Sequence, residues 1–298
     1  MAPIQGYTDY IWRNAHQKFF GGIDMYYSPF LRIERNSFRE RDIIDISLTN
    51  NKITNFTPQI LACEPIKMVQ MVEKIIELGY YSIDINLGCP FPMIAKKNCG
   101  CGMMSDVNLI QDMVNSLVGF SGIEFSIKMR LGYTSNTDWK NILHIISKLA
   151  PRHITMHPRI GLQQYKGDID MESFNEFYNT CQLPLVFNGE IKTTDDIDSI
   201  LSKYPNLEGI MIGRGLLMNP ALLSQNKIET RLFKQFHDEL FAAYSQKLEG
   251  GDSQILMKMK TFWEYFLPEA DKKSRKLIKK SSSLAKYQAA TNSLWNNF

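Results

Sequence analysis

Short apolar runs alternate with amphipathic helical patterns through about the first 220 residues of the chain. The apolar runs predict strands at 2–4, 25–28, 58–62, 82–86, 125–130, 153–157, 185–188 and 209–212. Helical periodicity between them is clearest at 65–80, 106–118 and 193–201. Strands and helices in regular alternation are typical of a parallel sheet. The pattern therefore predicts an α/β fold, a (β/α)8 TIM barrel, in which the helix between the second and third strands is poorly marked.

The strand pattern ends after Asn219-Pro220, and only helical patterns follow. Apolar spacing predicts helices at 231–248 and 254–267, separated by Gly250-Gly251-Asp252, and one or two more within 272–295. We therefore predict two parts, a catalytic TIM barrel over residues 1–225 and a small all-α domain over residues 226–298.

The composition limits the number of domains and the cellular compartment that we expect. With 298 residues and 44% apolar content, the chain can bury one large core or one large and one small core. No apolar run approaches the ~20 residues of a membrane span. The first residues lack the basic and apolar blocks of a signal peptide, and five cysteines fit reduced thiols. We expect a monomeric cytoplasmic protein.

The net charge of +3 is unevenly distributed. Residues 231–298 hold twelve lysines and arginines against seven aspartates and glutamates. The densest stretch is Asp271-Lys272-Lys273-Ser274-Arg275-Lys276-Leu277-Ile278-Lys279-Lys280. Such a tail fits phosphate contacts to a nucleic acid and fits a solvated helix face equally well.

Polar residues recur where the predicted strands end, and the ends of barrel strands converge on one mouth. These residues are Gln59, Asn86, Cys89, Lys128, Arg130, His157, Arg159, Asn188-Gly189-Glu190 and Gly213-Arg214-Gly215. The clusters after the seventh and eighth strands favour a phosphate site, because glycines admit an anion to the backbone and Arg214 adds a guanidinium. Tight turns with no ligand are the alternative.

Three of these residues have more than one interpretation. Lys128 lies inside an apolar strand, where burial is costly without an anionic or electron-rich partner. The alternative, an edge-strand charge that reaches solvent, is weaker because the neighbouring residues indicate a central strand. His157 fits a structural histidine or a ligand contact, and Tyr165 follows it in a loop over the mouth. Cys89 fits an inert thiol, a nucleophile or proton donor, or a metal ligand with Cys99 and Cys101. Because Cys-x-Cys without a nearby histidine does not match zinc spacing, we predict no metal.

Several motifs in order resemble the tRNA-dihydrouridine synthases of bacteria. They are Asn86-Leu87-Gly88-Cys89-Pro90, Lys128-Met129-Arg130-Leu131-Gly132, Asn188-Gly189-Glu190-Ile191 and Met211-Ile212-Gly213-Arg214-Gly215. Ala2-Pro3-Ile4-Gln5-Gly6-Tyr7-Thr8-Asp9 resembles the N-terminal flavin loop of that family. The resemblance covers most of residues 1–220, and the helical tail is compatible with the small tRNA-binding domain of the family.

The resemblance implies an FMN enzyme that reduces the C5–C6 double bond of uridine in tRNA, with NADPH re-reducing the flavin. Hydride would pass from reduced FMN to C6, and Cys89 would protonate C5. The implied cofactor contacts are Pro3, Ile4, Gln5, Gln59, Lys128, His157, Asn188, Gly189, Glu190, Gly213 and Arg214. The implied substrate contacts are Asn86, Arg159 and Tyr165. The segment 157–170 and the tail resemble the branch that modifies position 16 of the D-loop.

The chain departs from the family pattern at two places. The loop after Cys89 contains Cys99-Gly100-Cys101 where small residues with a Gly-Ala pair are usual, and Pro158-Arg159-Ile160 replaces a Gly-Arg-Thr. Two other functions fit parts of the pattern. One is an FMN barrel that reduces a free pyrimidine, similar to a dihydroorotate dehydrogenase. The other is a non-catalytic RNA-binding barrel, which would require neither Lys128 nor Cys89.

Overall fold

The structure is a computed structural model and describes residues 1–224 and 229–296. Within these residues the strands are, in chain order, β1 Tyr26–Tyr27, β2 Ile33–Glu34, β3 Ser37–Phe38, β4 Phe56–Thr57, β5 Gln59–Leu61, β6 Ser82–Leu87, β7 Glu124–Gly132, β8 Ile154–Ile160, β9 Leu185–Phe187 and β10 Gly209–Ile210. Strands β5 to β10 form a parallel sheet in sequence order, and β1 pairs in parallel with β4. The strand order is that of the predicted (β/α)8 barrel.

The barrel closes through the N-terminal residues. The amide of Ala2 donates to the carbonyl of Ile212 at 2.8 Å, and the amino group of Met1 donates to Met25 at 2.6 Å. The prediction of a regular strand at 2–4 was wrong, because Pro3 has no N–H and cannot extend a ladder. The predicted strand at 58–62 begins two residues earlier and is divided into β4 and β5 by Pro58 for the same reason.

The helices surround this sheet and continue beyond it. They are α1 Tyr10–Phe19, α2 Glu40–Ile46, α3 Pro65–Glu77, α4 Pro92–Ala95, α5 Val107–Leu117, α6 Asp138–Ile146, α7 Met171–Thr180, α8 Thr194–Lys203, α9 Arg214–Met218, α10 Thr230–Lys247, α11 Gly251–Phe262, α12 Lys272–Lys280 and α13 Leu284–Asn296. Short 3-10 helices cover Gly100–Ser105, Ser147–Leu149 and Gly161–Gln163. The poorly marked segment between the second and third predicted strands holds the β2–β3 hairpin and α2.

Aromatic packing joins the C-terminal helices to the barrel. The ring of Trp12 in α1 lies 5.9 Å from that of Phe236 in α10, and one continuous apolar cluster includes both. In the tail, Tyr287 accepts a hydrogen bond from the indole N–H of Trp263 at 2.9 Å. The helical tail therefore buries its apolar face against the barrel.

The tail helices differ from their predicted bounds in two ways. Helix α11 begins at Gly251, since the amide of Gly250 donates to the side chain of Gln254 at 2.7 Å. It ends at Phe262, and the guanidinium of Arg275 binds the carbonyls of Trp263 and Phe266 just beyond that end. The expected boundary between residues 225 and 226 lies outside the described residues. None of the described helices is long and apolar enough to cross a membrane.

Candidate active site

A cavity of about 540 Å³ lies at the end of the barrel where the strands terminate. It brings together nearly all of the predicted site residues: Pro3, Ile4, Gln5, Gln59, Asn86, Cys89, Lys128, His157, Tyr165, Asn188, Gly189, Glu190, Gly213 and Arg214. Arg159 is the predicted site residue that does not line the cavity. The convergence follows from the fold, because parallel strands of a barrel all end at the same mouth.

The loop that carries Cys89 is held by the side chain of Asn86. The amide oxygen of Asn86 accepts the backbone N–H groups of Gly88 at 3.0 Å and Cys89 at 2.8 Å. Cys89 is only 5% exposed, yet it borders the cavity. Burial raises the pKa of its thiol above the ordinary value of 9.0. The thiol is therefore protonated near neutral pH, as an acid requires.

The loop with Cys99, Gly100 and Cys101 packs directly against Cys89. The amide of Cys101 donates to the carbonyl of Cys89 at 3.2 Å, and that of Gly100 donates to Ala62 at 2.8 Å. Gly100 has a φ of +56°, and a Cβ there would lie 2.9 Å from the Cβ of Cys89. Only glycine fits both the conformation and the close approach. Gly100 therefore has a packing function beside Cys89.

Cys99 packs against the small apolar cluster that contains Cys89, whereas Cys101 belongs to the main core. The thiol of Cys99 donates to the carbonyl of Lys97 at 3.4 Å, and Cys101 is fully buried. Within residues 1–224 and 229–296, no three histidine, cysteine or acidic side chains are grouped closely enough to hold a metal ion.

Lys128 extends from β7 into the cavity wall. Its ammonium donates to the amide oxygen of Asn188 at 2.8 Å, and the amide nitrogen of Asn188 donates to Met211 O at 2.7 Å. Burial lowers the pKa of Lys128 to about 8, and the nearby Arg130 acts in the same direction. Among the described residues no carboxylate lies within salt-bridge distance of this ammonium. The cavity therefore contains a half-buried cation whose hydrogen-bond partner is neutral.

His157 and Arg159 both lie on β8, and their side chains are hydrogen-bonded to each other. A guanidinium N–H of Arg159 donates to Nε2 of His157 at 3.0 Å, which leaves the imidazole proton on Nδ1. Burial first, and then the charges of Arg130 and Lys128, keep the pKa of His157 well below 6.5. The imidazole is therefore neutral and is held in one tautomer.

Arg159 lies behind the cavity wall, where its side chain is 2% exposed. It donates to the carboxylate of Glu190 and to Gly167 O, both at 2.8 Å. The same carboxylate oxygen of Glu190 also accepts from Arg214. These contacts suit Arg159 to hold His157 and Glu190 in place, and its predicted contact with substrate has no support from its position.

The cavity also includes Arg130, a strand-end residue to which the sequence assigned no role, and Tyr265, which the sequence did not single out. The guanidinium of Arg130 donates to Gly88 O at 2.9 Å and to Gln164 O at 2.7 Å. The ring of Tyr165 lies between Arg130 and Arg214, at 5.4 and 5.3 Å. Arg130 lies on the same strand as Lys128, and its place near the end of that strand marked it in the sequence. Tyr265, which packs on Tyr7 at 5.2 Å, comes from the helical tail and had no such signal.

Comparison with known proteins identifies the family. A family model described as dihydrouridine synthase (Dus) matches residues 1–294. The chain belongs to the dihydrouridine synthase family. Dihydrouridine is uridine with its C5–C6 double bond reduced, so this member of the family is an oxidoreductase. The match favours the synthase over the dihydroorotate dehydrogenase-like alternative.

Bacterial relatives of this dihydrouridine synthase cover most of the chain. A probable tRNA-dihydrouridine synthase of Rickettsia bellii is 27% identical over 76% of this chain and 69% of the relative. The tRNA-dihydrouridine(16) synthase of Shewanella oneidensis is 26% identical over 93% of this chain and 92% of the relative. A solved structure of morphinone reductase covers 74% of this chain and 84% of that protein, with a TM-score of 0.52 and 8% identity. That last likeness concerns the barrel fold alone.

Proposed function

We propose that this dihydrouridine synthase reduces specific uridines of tRNA to 5,6-dihydrouridine, with FMN as its cofactor and NADPH as its reductant. The observation that carries the proposal is the buried thiol of Cys89 just after β6, in one cavity with Lys128 and His157, where burial raises the pKa of the thiol. The names of both bacterial relatives support tRNA as the substrate. In the overall reaction uridine gains one hydride and one proton, and NADPH becomes NADP⁺.

The cavity fits FMN on three counts. Its volume of about 540 Å³ lies within the range of roughly 300–1,000 Å³ that is usual for ligand pockets. The half-buried ammonium of Lys128, whose pKa is lowered by desolvation, gains from an anionic or electron-rich ligand. The side-chain oxygen of Gln5 is buried without a hydrogen-bond donor, which a ligand N–H would supply. When bound and reduced, FMN supplies the hydride that C6 of uridine receives.

We assign the flavin ring to Pro3, Ile4, Gln5, Gln59, Lys128 and His157, and the phosphate to Asn188, Gly189, Glu190, Gly213 and Arg214. Glu190 would serve a phosphate through its backbone N–H. Its carboxylate is bound to Arg159 and Arg214, and a carboxylate would repel the phosphate. Arg159 contributes by fixing His157 and Glu190.

Cys89 delivers the proton to C5 of uridine. Burial keeps the proton on Sγ until it is needed, and the charges of Arg130, Arg32 and Lys128 stabilise the thiolate that remains. Asn86 positions this thiol through the backbone N–H of Cys89. Tyr165, half-exposed between two guanidiniums, borders the mouth through which a flipped base enters.

We propose that residues 226–298 bind tRNA. In α12 the side chains of Lys272, Lys273, Lys276, Lys279 and Lys280 are exposed, which suits contacts with phosphates. Arg275 is half-buried and binds backbone carbonyls, so it stabilises the tail instead. The position-16 relative aligns with nearly the whole chain, tail included, and supports position 16 as the target. We further propose that the enzyme acts as a monomer in the cytoplasm.

Purification and a matched pair of cysteine variants test the function. The protein should be yellow and release FMN on denaturation, and a colourless protein that FMN cannot reconstitute would refute the proposal. Cys89→Ala should bind flavin and tRNA but form dihydrouridine at least about 100-fold more slowly. Cys181→Ala, which removes a half-buried thiol outside the cavity, should react at the wild-type rate. Mapping dihydrouridine in the product tRNA tests position 16.

A further inference from the structure

A chain of hydrogen bonds runs beneath the cavity from a buried carboxylate to the loop of Cys89. Asp84 on β6 is fully buried, and one of its oxygens accepts from the side-chain amide of Gln59 at 2.6 Å. The amide oxygen of Gln59 accepts from Asn86 at 2.8 Å. The amide oxygen of Asn86 in turn accepts the N–H groups of Gly88 and Cys89.

The carboxylate sets the direction of every bond in this chain. An ionised carboxylate only accepts, so Gln59 must turn its NH₂ group toward Asp84 and its oxygen toward Asn86. Asn86 must then present its own NH₂ to Gln59 and its oxygen to the backbone of Cys89. Rotating either amide by 180° would place two acceptors or two donors against each other. With a neutral amide at position 84, both directions become available.

Packing alone gives no reason for a carboxylate at this position. Asp84 lies on β6 between β5 and β7, and no cation of the described chain lies within salt-bridge distance of it. Its other oxygen accepts from the hydroxyl of Ser126 at 2.6 Å. Burial of a carboxylate without a paired cation is costly. Gln59, its partner toward the cavity, lines the predicted flavin site.

We propose that Asp84 is a positioning residue of this enzyme, which acts through Gln59 and Asn86 to fix the Cys89 loop and the amide that Gln59 presents to the cavity. The inference rests on the proposed function only for its kinetic readout. The carboxylate touches neither the cavity nor the reacting atoms, and its effect passes through two amides whose orientation it dictates.

Asp84→Asn tests the role in two independent ways. Backbone N–H groups of Gly88 and Cys89 should exchange with deuterium faster than in the wild type, because Asn86 no longer faces them at all times. In the folded, flavin-bound variant, the single-turnover rate of uridine reduction should fall about 10- to 100-fold, with the KM for tRNA within about twofold of the wild type. Ser126→Ala removes the other donor to the same carboxylate and should leave that rate within about twofold, even if the protein melts earlier.

A double-variant cycle separates positioning from a structural role. If Asp84 acts through Gln59, the double variant Asp84→Asn/Gln59→Met should react as fast as Gln59→Met alone. A double variant slower by the full factor of Asp84→Asn would overturn the proposal, as would unchanged exchange at Gly88 and Cys89. If Asp84→Asn does not fold, Gln59→Met breaks the same chain of hydrogen bonds one step closer to Cys89. Wild-type hydrogen exchange and a wild-type reduction rate in Gln59→Met would also overturn the proposal. A wild-type enzyme that forms no dihydrouridine refutes the proposed function, whereas the exchange measurement still decides the role of Asp84.

Discussion

A single methyl group at Gly100 should both destabilise the protein and disturb Cys89 in the active site. Its φ of +56° is in the left-handed region, where an L-residue costs about 1–2 kcal/mol. A Cβ there would also lie 2.9 Å from both the Cβ and the carbonyl oxygen of Cys89. Relieving such overpacking costs a further ~1–3 kcal/mol. Gly100→Ala should therefore lower the free energy of unfolding by about 2–5 kcal/mol.

Two other glycines separate the contributions. Gly122 has a φ of +80° but open space where a Cβ would lie, so Gly122→Ala should lose only the backbone cost of about 1–2 kcal/mol. Gly119 has open space and no positive φ, so Gly119→Ala should be neutral or more stable by up to about 1 kcal/mol. Urea denaturation of the three variants and the wild type measures these differences directly.

Turnover reports the second consequence of the contact. Because the new methyl group displaces Cys89 by a few tenths of an ångström, Gly100→Ala should slow single-turnover reduction by roughly three- to tenfold. Gly122→Ala should react at the wild-type rate. The reasoning fails if Gly100→Ala is no less stable than Gly122→Ala and forms dihydrouridine at the same rate.

Three further predictions concern charge. Lys128 has a pKa of about 8 and loses its proton as pH rises through that value, so the affinity of the apoprotein for FMN should fall over the same pH range. In Lys128→Met the affinity should not depend on pH in that range. Flavin fluorescence titrations would measure both. Lys258 binds Gly6 O at 2.7 Å and a carboxylate oxygen of Asp9 at 2.8 Å, so Lys258→Met should weaken FMN binding about tenfold. Lys260→Met, whose ammonium contacts only the tail, should not. Charge reversal at Lys272, Lys273, Lys276 and Lys279 should weaken tRNA binding and flatten its dependence on salt, and equal affinity at every salt concentration would exclude α12 from the interface.

Local sequence signals were sufficient for the barrel and for most of the site. Apolar periodicity is a property of each segment by itself, and it predicted β6, β7 and β8 and the helices α3, α5 and α8 to within a few residues. Where the prediction was wrong, at residues 2–4, a proline interrupts the ladder and the chain closes the barrel with isolated backbone bonds. The polar residues at the strand ends lie close together because the parallel strands of a barrel all end at the same mouth.

Long-range contacts decided what the periodicity could not. Tyr265 reaches the cavity from a tail that the sequence marked only as basic and helical, because packing of Trp12 on Phe236 folds that tail onto the barrel. Arg159 lies near the end of a strand, as His157 does, but its hydrogen bond to the carboxylate of Glu190 keeps its side chain outside the cavity lining. No local pattern encodes which of two polar neighbours is held by a partner 31 residues away.

The sequence by itself determined that a protonatable thiol, a lysine and a pair of glycine-rich turns meet at the mouth of a barrel, since strand order alone brings them there. The tertiary structure decided how that thiol is held. Gly100 can brace Cys89 only because the loop returns to it, and Asp84 can orient Gln59 only because β5 and β6 pair in one register. Hydrogen-bond direction and close packing depend on distances across the fold, and those distances exist only after the chain has closed.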